Sequence, residues 1–321
     1  MNIGTLFVLA TADAAVPVSW DLAAGAHHRW AVDTEVVLPG MMWLYSDRNR
    51  DVRARNVGIQ WVFDCTASEP TRNVGVLDCT IEDASVTGAT FPSERGRLQP
   101  VLEEMDAKLT GARVQLVMRP DGRVRTVKLE ANELAGFRNR RTRYMEEALR
   151  TLMIRGLASF DVVMPRNGIT DDEWVQFDSL LLTLPTQKGT AGSGRIVHKA
   201  QPHDATRVIV SSIGGGVLVD GGTMELGSPR YLDTQLTGYT VFDREAGHVS
   251  EALWTTYGEP TASAGVFAQA YAARTSLRAL APDESVELGP TYEWSPLWRG
   301  IMGFRDEVDA SSQLDPDDRA P

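Results

Sequence analysis

Residues 59–81 read IQWVFDCTASEPTRNVGVLDCTI, and the fold turns on how this stretch pairs with itself. Ile59, Trp61, Phe63 and Cys65 fall on one side of an extended chain, and Leu77, Cys79 and Ile81 fall on one side of the next, because strand side chains alternate between faces. Between them Ser68-Glu69-Pro70-Thr71-Arg72-Asn73 has turn chemistry. Folding the two strands back about Arg72 sets Cys65 directly opposite Cys79, both on apolar faces. A cross-strand disulfide is the expectation, and closing a loop of that size stabilises a fold by about 3 kcal/mol in the chain-entropy treatment. Such bonds persist in oxidising compartments, so the pair argues for export; two free thiols buried in a reducing cytosol are the alternative.

Working outward, His28 to Leu38 alternates through Trp30, Val32, Thr34, Val36 and Leu38 and is expected to end at Pro39-Gly40. On the other side, Gly96 to Leu109 carries Leu98, Val101, Leu102, Met105 and Leu109 at helical spacing, with Pro100 placed in the first turn. Ala112–Met118 and Arg123–Leu129 flank Asp121-Gly122, the clearest hairpin in the chain. Residues 137–158 change period: Tyr144, Ala148, Leu149, Leu152, Met153 and Leu157 line one face of an amphipathic helix. Arg138, Arg140, Arg141 and Arg143 crowd its first turns, where positive charge opposes the macrodipole. They are a candidate anion or headgroup site, weighed against an ordinary solvated face.

Beyond a boundary near 164–172, Thr170 and Glu173 have capping-box spacing and predict a short helix towards Phe177. Strands are then expected at Arg195–Gln201, Thr206–Ile213, Gly216–Asp220, Tyr239–Phe242 and His248–Thr256, with Ala264–Ala281 favouring a strand. Gly189–Arg195 reads as a flexible turn rather than a phosphate loop, because the Lys-Ser/Thr ending is missing and a strand, not a helix, is expected to follow. Gly214-Gly215-Gly216 reads as a bend or bulge. The turns Arg119–Arg123 and Asp243–Gly247 echo one another, each placing an acid and a glycine just before a strand, as a duplication would.

The fold class is therefore α+β, predominantly antiparallel β, with two β-rich halves, curved sheets or half-barrels, about a central amphipathic helix. The organisation expected is a signal-peptide remnant over 1–14, a first half over 15–136, the helix over 137–164, a second half over 165–304 and an acidic disordered tail over 305–321. The first segment joins an apolar run, Ile3 to Ala10, to the small-x-small site Ala12-Asp13-Ala14; an ordinary first strand is the alternative. This pattern, across residues 20–290, resembles the half-barrel proteins of bacterial envelopes, including lipoprotein carriers, and exported bacterial families of similar length. The resemblance implies a concave apolar face able to hold an acyl chain or a partner. No lipobox cysteine follows the apolar run.

The chain has 321 residues, 43% of them hydrophobic, and a net charge of −11, enough to bury a large core and of the wrong sign for phosphate backbones, so nucleic acid is not an expected partner. No apolar run reaches the length of a membrane-spanning helix. Chemistry is sparse. The five histidines, His27, His28, His198, His203 and His248, form no recognised motif, and adjacent His27 and His28 face opposite ways on a strand. No metal, no cofactor and no catalytic residue is assigned. Met41, Met42, Trp43 and Tyr45, in an apolar loop after Pro39-Gly40, and Trp294 with Trp298 are candidate ligand-binding patches.

The function expected is that of a periplasmic or secreted protein that binds a lipid, another apolar ligand or an envelope protein without catalysis. A hydrolase or metalloenzyme built on second-half histidines such as His198 and His248, and a structural or assembly role, are the competing readings.

Overall fold

The computed structural model describes residues 18–47, 50–71, 74–89, 95–129, 149, 152–165, 168–169, 173–177, 179, 191–220, 230–260 and 271–288. The strands are β1 (His27–Asp47), β2 (Arg50–Thr71), β3 (Val74–Ala89), β4 (Arg113–Met118), β5 (Val124–Leu129), β6 (Glu173–Phe177), β7 (Ala191–Pro202), β8 (Arg207–Asp220), β9 (Arg230–Asp243), β10 (His248–Pro260) and β11 (Tyr271–Ala279), with helix α1 (Arg95–Leu109) between β3 and β4. All strands form one 11-stranded sheet in the order β5-β4-β3-β2-β1-β11-β10-β9-β8-β7-β6. Every pairing is antiparallel. Two meanders, β1–β5 and β6–β11, are thus zipped together where β1 meets β11.

Cys65 stands opposite Cys79 in the β2–β3 register, and the two are bonded with Cα atoms 4.0 Å apart. The inward phase read from the sequence holds: Trp30, Ile59, Trp61, Phe63, Leu77 and Ile81 are all buried. The β4–β5 hairpin closes at Gly122, whose φ of 89° lies in the left-handed region that glycine tolerates. Helix α1 packs Leu98, Leu102 and Met105 into the core. It starts at Arg95, so Pro100 is inside the helix rather than in its first turn. Residues 152–157 are helical and run into a 3-10 turn at Ala158–Phe160. A Cβ at Gly156 would lie 2.8 Å from the Trp61 ring and 3.0 Å from Val32, so this helix lies against the inner face at the β1–β2 centre.

Four local expectations need correction. First, β1 does not stop at Pro39-Gly40: it continues to Asp47 through register shifts between Val37 and Met42 and between Trp43 and Tyr45. The proline sits within the stretch where the pairing of β1 with β2 shifts register, between Val37 and Met42, the kind of irregularity at which a missing N–H is tolerated. Second, Glu173–Phe177 is the edge strand β6, not a capped helix. Trp174 and Gln176 turn inward while Val175 and Phe177 turn outward, a period of two that pairing with β7 enforces over the helix signal. Third, Ala191–Gly194 belongs to β7 instead of a turn. Fourth, Gly214–Gly216 holds no bulge and does not divide the strand, because β8 runs in unbroken register with β7 and β9. The crowding expected there is real, since a Cβ at Gly214 would meet the Arg195 carbonyl at 2.8 Å.

Candidate functional site

The sheet has a plugged end and an opposite end. At the plugged end Trp20 meets Phe160 and Phe242 edge-on, at 5.4 and 5.8 Å, and Trp30 meets Phe160 at 4.9 Å. The N-terminal segment straps this end by its backbone: Trp20 N–H donates to the Pro120 carbonyl and Asp21 N–H to the Gly247 carbonyl. Those acceptors lie in the two echoing turns of the halves. His28 and His248 also sit here, their rings 5.1 Å apart. Burial first, and His248 second, hold His28 below the ordinary imidazole value.

A short segment after the 3-10 turn fastens both outer ends of the sheet. Asp161 is buried; Oδ1 accepts from Val124 N–H at the start of β5, at 3.0 Å, and Oδ2 accepts from Ser179 Oγ at 3.0 Å and Gln176 Nε2 at 3.3 Å beside β6. Val163 continues the clasp, donating its N–H to Gln176 Oε1 at 2.9 Å and accepting from Trp174 Nε1 at 2.8 Å. Met164 N–H donates to the Asp121 carbonyl. One segment therefore touches the β4–β5 hairpin and β6, the two extremes of an 11-stranded sheet, which requires the sheet to curl round.

The clasp fixes a histidine. Gln176 Nε2 donates to the Asp161 carbonyl at 2.8 Å, so its Oε1 is an acceptor and His198 Nε2 donates to it at 3.1 Å. Nδ1 of His198 is then bare and accepts from Ser212 Oγ at 2.7 Å; the tautomer follows from the network. Desolvation pushes His198 down to about 4, so the ring is neutral at pH 7, stacked on Trp174 at 5.3 Å.

Next to this relay the inner face changes character. The cross-sheet row through Thr34 continues as Thr275, Trp254, Gly238, Ser212 and His198, and the neighbouring row through Val36 continues as Ala273, Thr256, Leu236 and Gly214. Small residues dominate both. Trp254 lies over Gly238, where a Cβ would come within 2.6 Å of its ring. Among the described residues Thr234 Oγ1, Thr240 Oγ1, Thr256 Oγ1 and Trp254 Nε1, all on β9 and β10, are buried without a hydrogen-bond partner. Trp61 Nε1 and, under the sheet, Ser159 Oγ share that condition. A buried polar atom left unpaired costs about 1–3 kcal/mol, and native proteins keep few of them, commonly where water, an ion or a ligand supplies the partner. Trp20 Nε1, Asn56 Oδ1 and Asp64 Oδ1, the last beside His27, are in the same condition elsewhere. The four donors on the neighbouring strands β9 and β10 make that inner face the candidate site.

The residues singled out from the sequence fare differently. Met41, Met42, Trp43 and Tyr45 are strand residues of β1 and not a loop; their side chains lie outside the described residues, as do Trp294, Trp298, Arg138, Arg140, Arg141 and Arg143, the segment 1–14 and the tail from 305. His27 and His28 face opposite ways: His27 is exposed, 2.5 Å from Asp64, and His28 is buried. His198 and His248 serve separate clusters, one with Gln176 and Ser212, the other with His28. Among the described residues no three His, Cys, Asp or Glu side chains are grouped to hold a metal, and no helix is long and apolar enough to cross a membrane. Thr234, Thr240, Trp254 and Thr256 escaped the sequence reading. Their signal was the run of Thr and Gly at the inward phase of β9, Thr234-x-Leu236-x-Gly238-x-Thr240.

No protein-family model and no curated protein sequence matches the chain. Among solved structures it is similar to lipovitellin, in a structure concerned with lipid–protein interactions, at 10% identity and a TM-score of 0.43, covering 86% of this chain and 27% of that one. The chain thus spans about a quarter of lipovitellin's length. It is also similar to a Bacteroides fragilis protein with a YmcC-like fold, whose name proposes export, at 7% identity and a TM-score of 0.21, covering 83% of this chain and 100% of that one. The described part of the chain is one large open antiparallel sheet with little helix.

Proposed function

We propose that this is an exported, periplasmic or secreted protein that holds an apolar ligand bearing acceptor oxygens, such as an acyl ester, against the inner face of β8–β11. The observation that carries the reading is the set of buried donors on Thr234, Thr240, Trp254 and Thr256, unpartnered among the described residues, on a face where Gly, Ala, Ser and Thr alternate with Trp254 and Leu236. Apolar burial supplies affinity and a few placed donors supply orientation, the usual division of labour in a small-molecule site. The Cys65–Cys79 bond supports an oxidising address. The test is titration of delipidated protein with a fluorescent fatty acid, with Trp254 as energy donor. Saturable transfer whose affinity weakens at least fivefold in Thr256→Val, which keeps the energy donor, supports the reading; linear, non-saturable transfer refutes it.

A second reading, a serine hydrolase, is favoured by one contact: the Ser212 hydroxyl donating to a neutral His198 at 2.7 Å, a nucleophile beside its base. Covalent labelling by a fluorophosphonate that disappears in Ser212→Ala would support it. Absence of labelling in native protein refutes it.

A further inference from the structure

The outer face of the last three strands carries a feature that ligand binding inside the sheet does not use. Four large apolar side chains stand exposed among the described residues: Val175 at 45%, Phe177 at 59%, Ile213 at 71% and Val217 at 38%. They are not scattered. Val175, Val197 and Ile213 are direct cross-strand neighbours on β6, β7 and β8, and Phe177 and Val217 extend the group towards the end opposite the aromatic plug.

Two cations are set into the patch on the same outward phase of β7. Exposed Arg195 stands beside Phe177 and exposed Lys199 lies two residues beyond Val197, and neither makes an ion pair among the described residues. Glu173, opposite Lys199, is the one acid of these rows on β6 and β7. In a chain of net charge −11 this is a local reversal of sign joined to exposed apolar area. An aromatic ring, branched aliphatics and long-stemmed cations on one face suit the boundary between acyl chains and anionic headgroups. Each cation near such a surface contributes about 1 kcal/mol.

We propose that the outer face of β6–β8 docks the protein on an anionic lipid bilayer, with Phe177 and Ile213 entering the interface and Arg195 and Lys199 meeting headgroup phosphates. This goes beyond the ligand reading and stands or falls separately, because it concerns the opposite face.

The experiment is flotation of the full chain with phosphatidylcholine vesicles containing about one quarter phosphatidylglycerol. Recovery with these vesicles, at least fivefold weaker for phosphatidylcholine alone and weakened by salt at a Debye length below about 8 Å, is the expected result. Phe177→Ser with Ile213→Ser should reduce binding at least tenfold, and Arg195→Gln with Lys199→Gln about fivefold per charge removed. Thermal unfolding shows whether each variant is folded, and Thr66→Ser, at an exposed position of β2 outside the patch, should bind as the parent does. Equal binding by folded patch variants and parent overturns the proposal. So does concentration-dependent self-association through the patch with no flotation, which would assign it to a second copy of the chain. Loss of fatty-acid binding with flotation retained would defeat only the ligand reading.

Discussion

The two halves of the sheet share one architecture and differ in what their inner faces carry. Under β1–β4 the inward positions are Trp30, Ile59, Phe63, Leu77 and Ile81, large side chains that fill the space against helix 152–157. Under β8–β11 the equivalent rows hold Thr275, Thr256, Gly238, Ser212 and Gly214 around Trp254 and Leu236, with buried donors that have no partner among the described residues. The same alternation thus builds a wall of large apolar side chains on one side and a wall of smaller, more polar ones on the other. The ligand reading assigns stability to the first and binding to the second.

Mutation should expose that division directly. Phe63→Ala empties a filled position and is expected to cost about 3–5 kcal/mol in denaturant unfolding, with little change in ligand affinity for the fraction that remains folded. Removing the bridge with Cys65→Ser and Cys79→Ser should cost about 3 kcal/mol, again on the apolar side. Thiol titration of unreduced protein from its native compartment should find no free sulfhydryl; two free groups would remove both the export argument and the register of residues 59–81.

On the more polar side the effects are smaller and partly conditional on pH. His198 is held down at about 4 when folded against about 6.5 in the unfolded chain, so between these values the unfolded state binds more protons. Its neutral, buried form therefore contributes fully above pH 6.5, and that contribution falls as pH drops towards 4, by about 3 kcal/mol over the window. Comparing unfolding of the parent and His198→Gln across that range isolates the term: the parent should lose stability the more steeply, and parallel profiles would contradict the assignment. The smallest expected change is Thr256→Val, which deletes an unpaired buried hydroxyl. It should leave the ligand-free protein within about 1 kcal/mol of the parent or slightly more stable, while weakening ligand retention. Destabilisation by several kcal/mol would mean that the hydroxyl is already satisfied.

The apolar wall was legible in the sequence because its register is local. Cys65 and Cys79 are symmetric about Arg72, and each strand announces its inward phase by large apolar residues. Asp121-Gly122 was legible because turn geometry demands a glycine there. The more polar wall was not, because an inward threonine on a strand looks the same whether or not its hydroxyl has a partner. That is a tertiary fact. Asp161 shows the limit from another side: its acceptors serve Val124, 37 residues away, and Ser179, 18 residues away, and no spacing rule couples those positions. Glu173–Phe177 was misread because the Thr-x-x-Glu pattern is short, whereas the pairing with β7 that decides the segment is non-local.

The most direct trial of the two-walled sheet is native mass spectrometry of the protein gently purified from the envelope or medium of its own host, without detergent or organic solvent. A discrete added mass of an acyl-bearing lipid, released by mild activation and reduced in Thr256→Val and Trp254→Phe but retained in Phe177→Ser, is the predicted result. A single bare mass for the parent, together with failure of the delipidated protein to take up any fatty acid or ester, would contradict it.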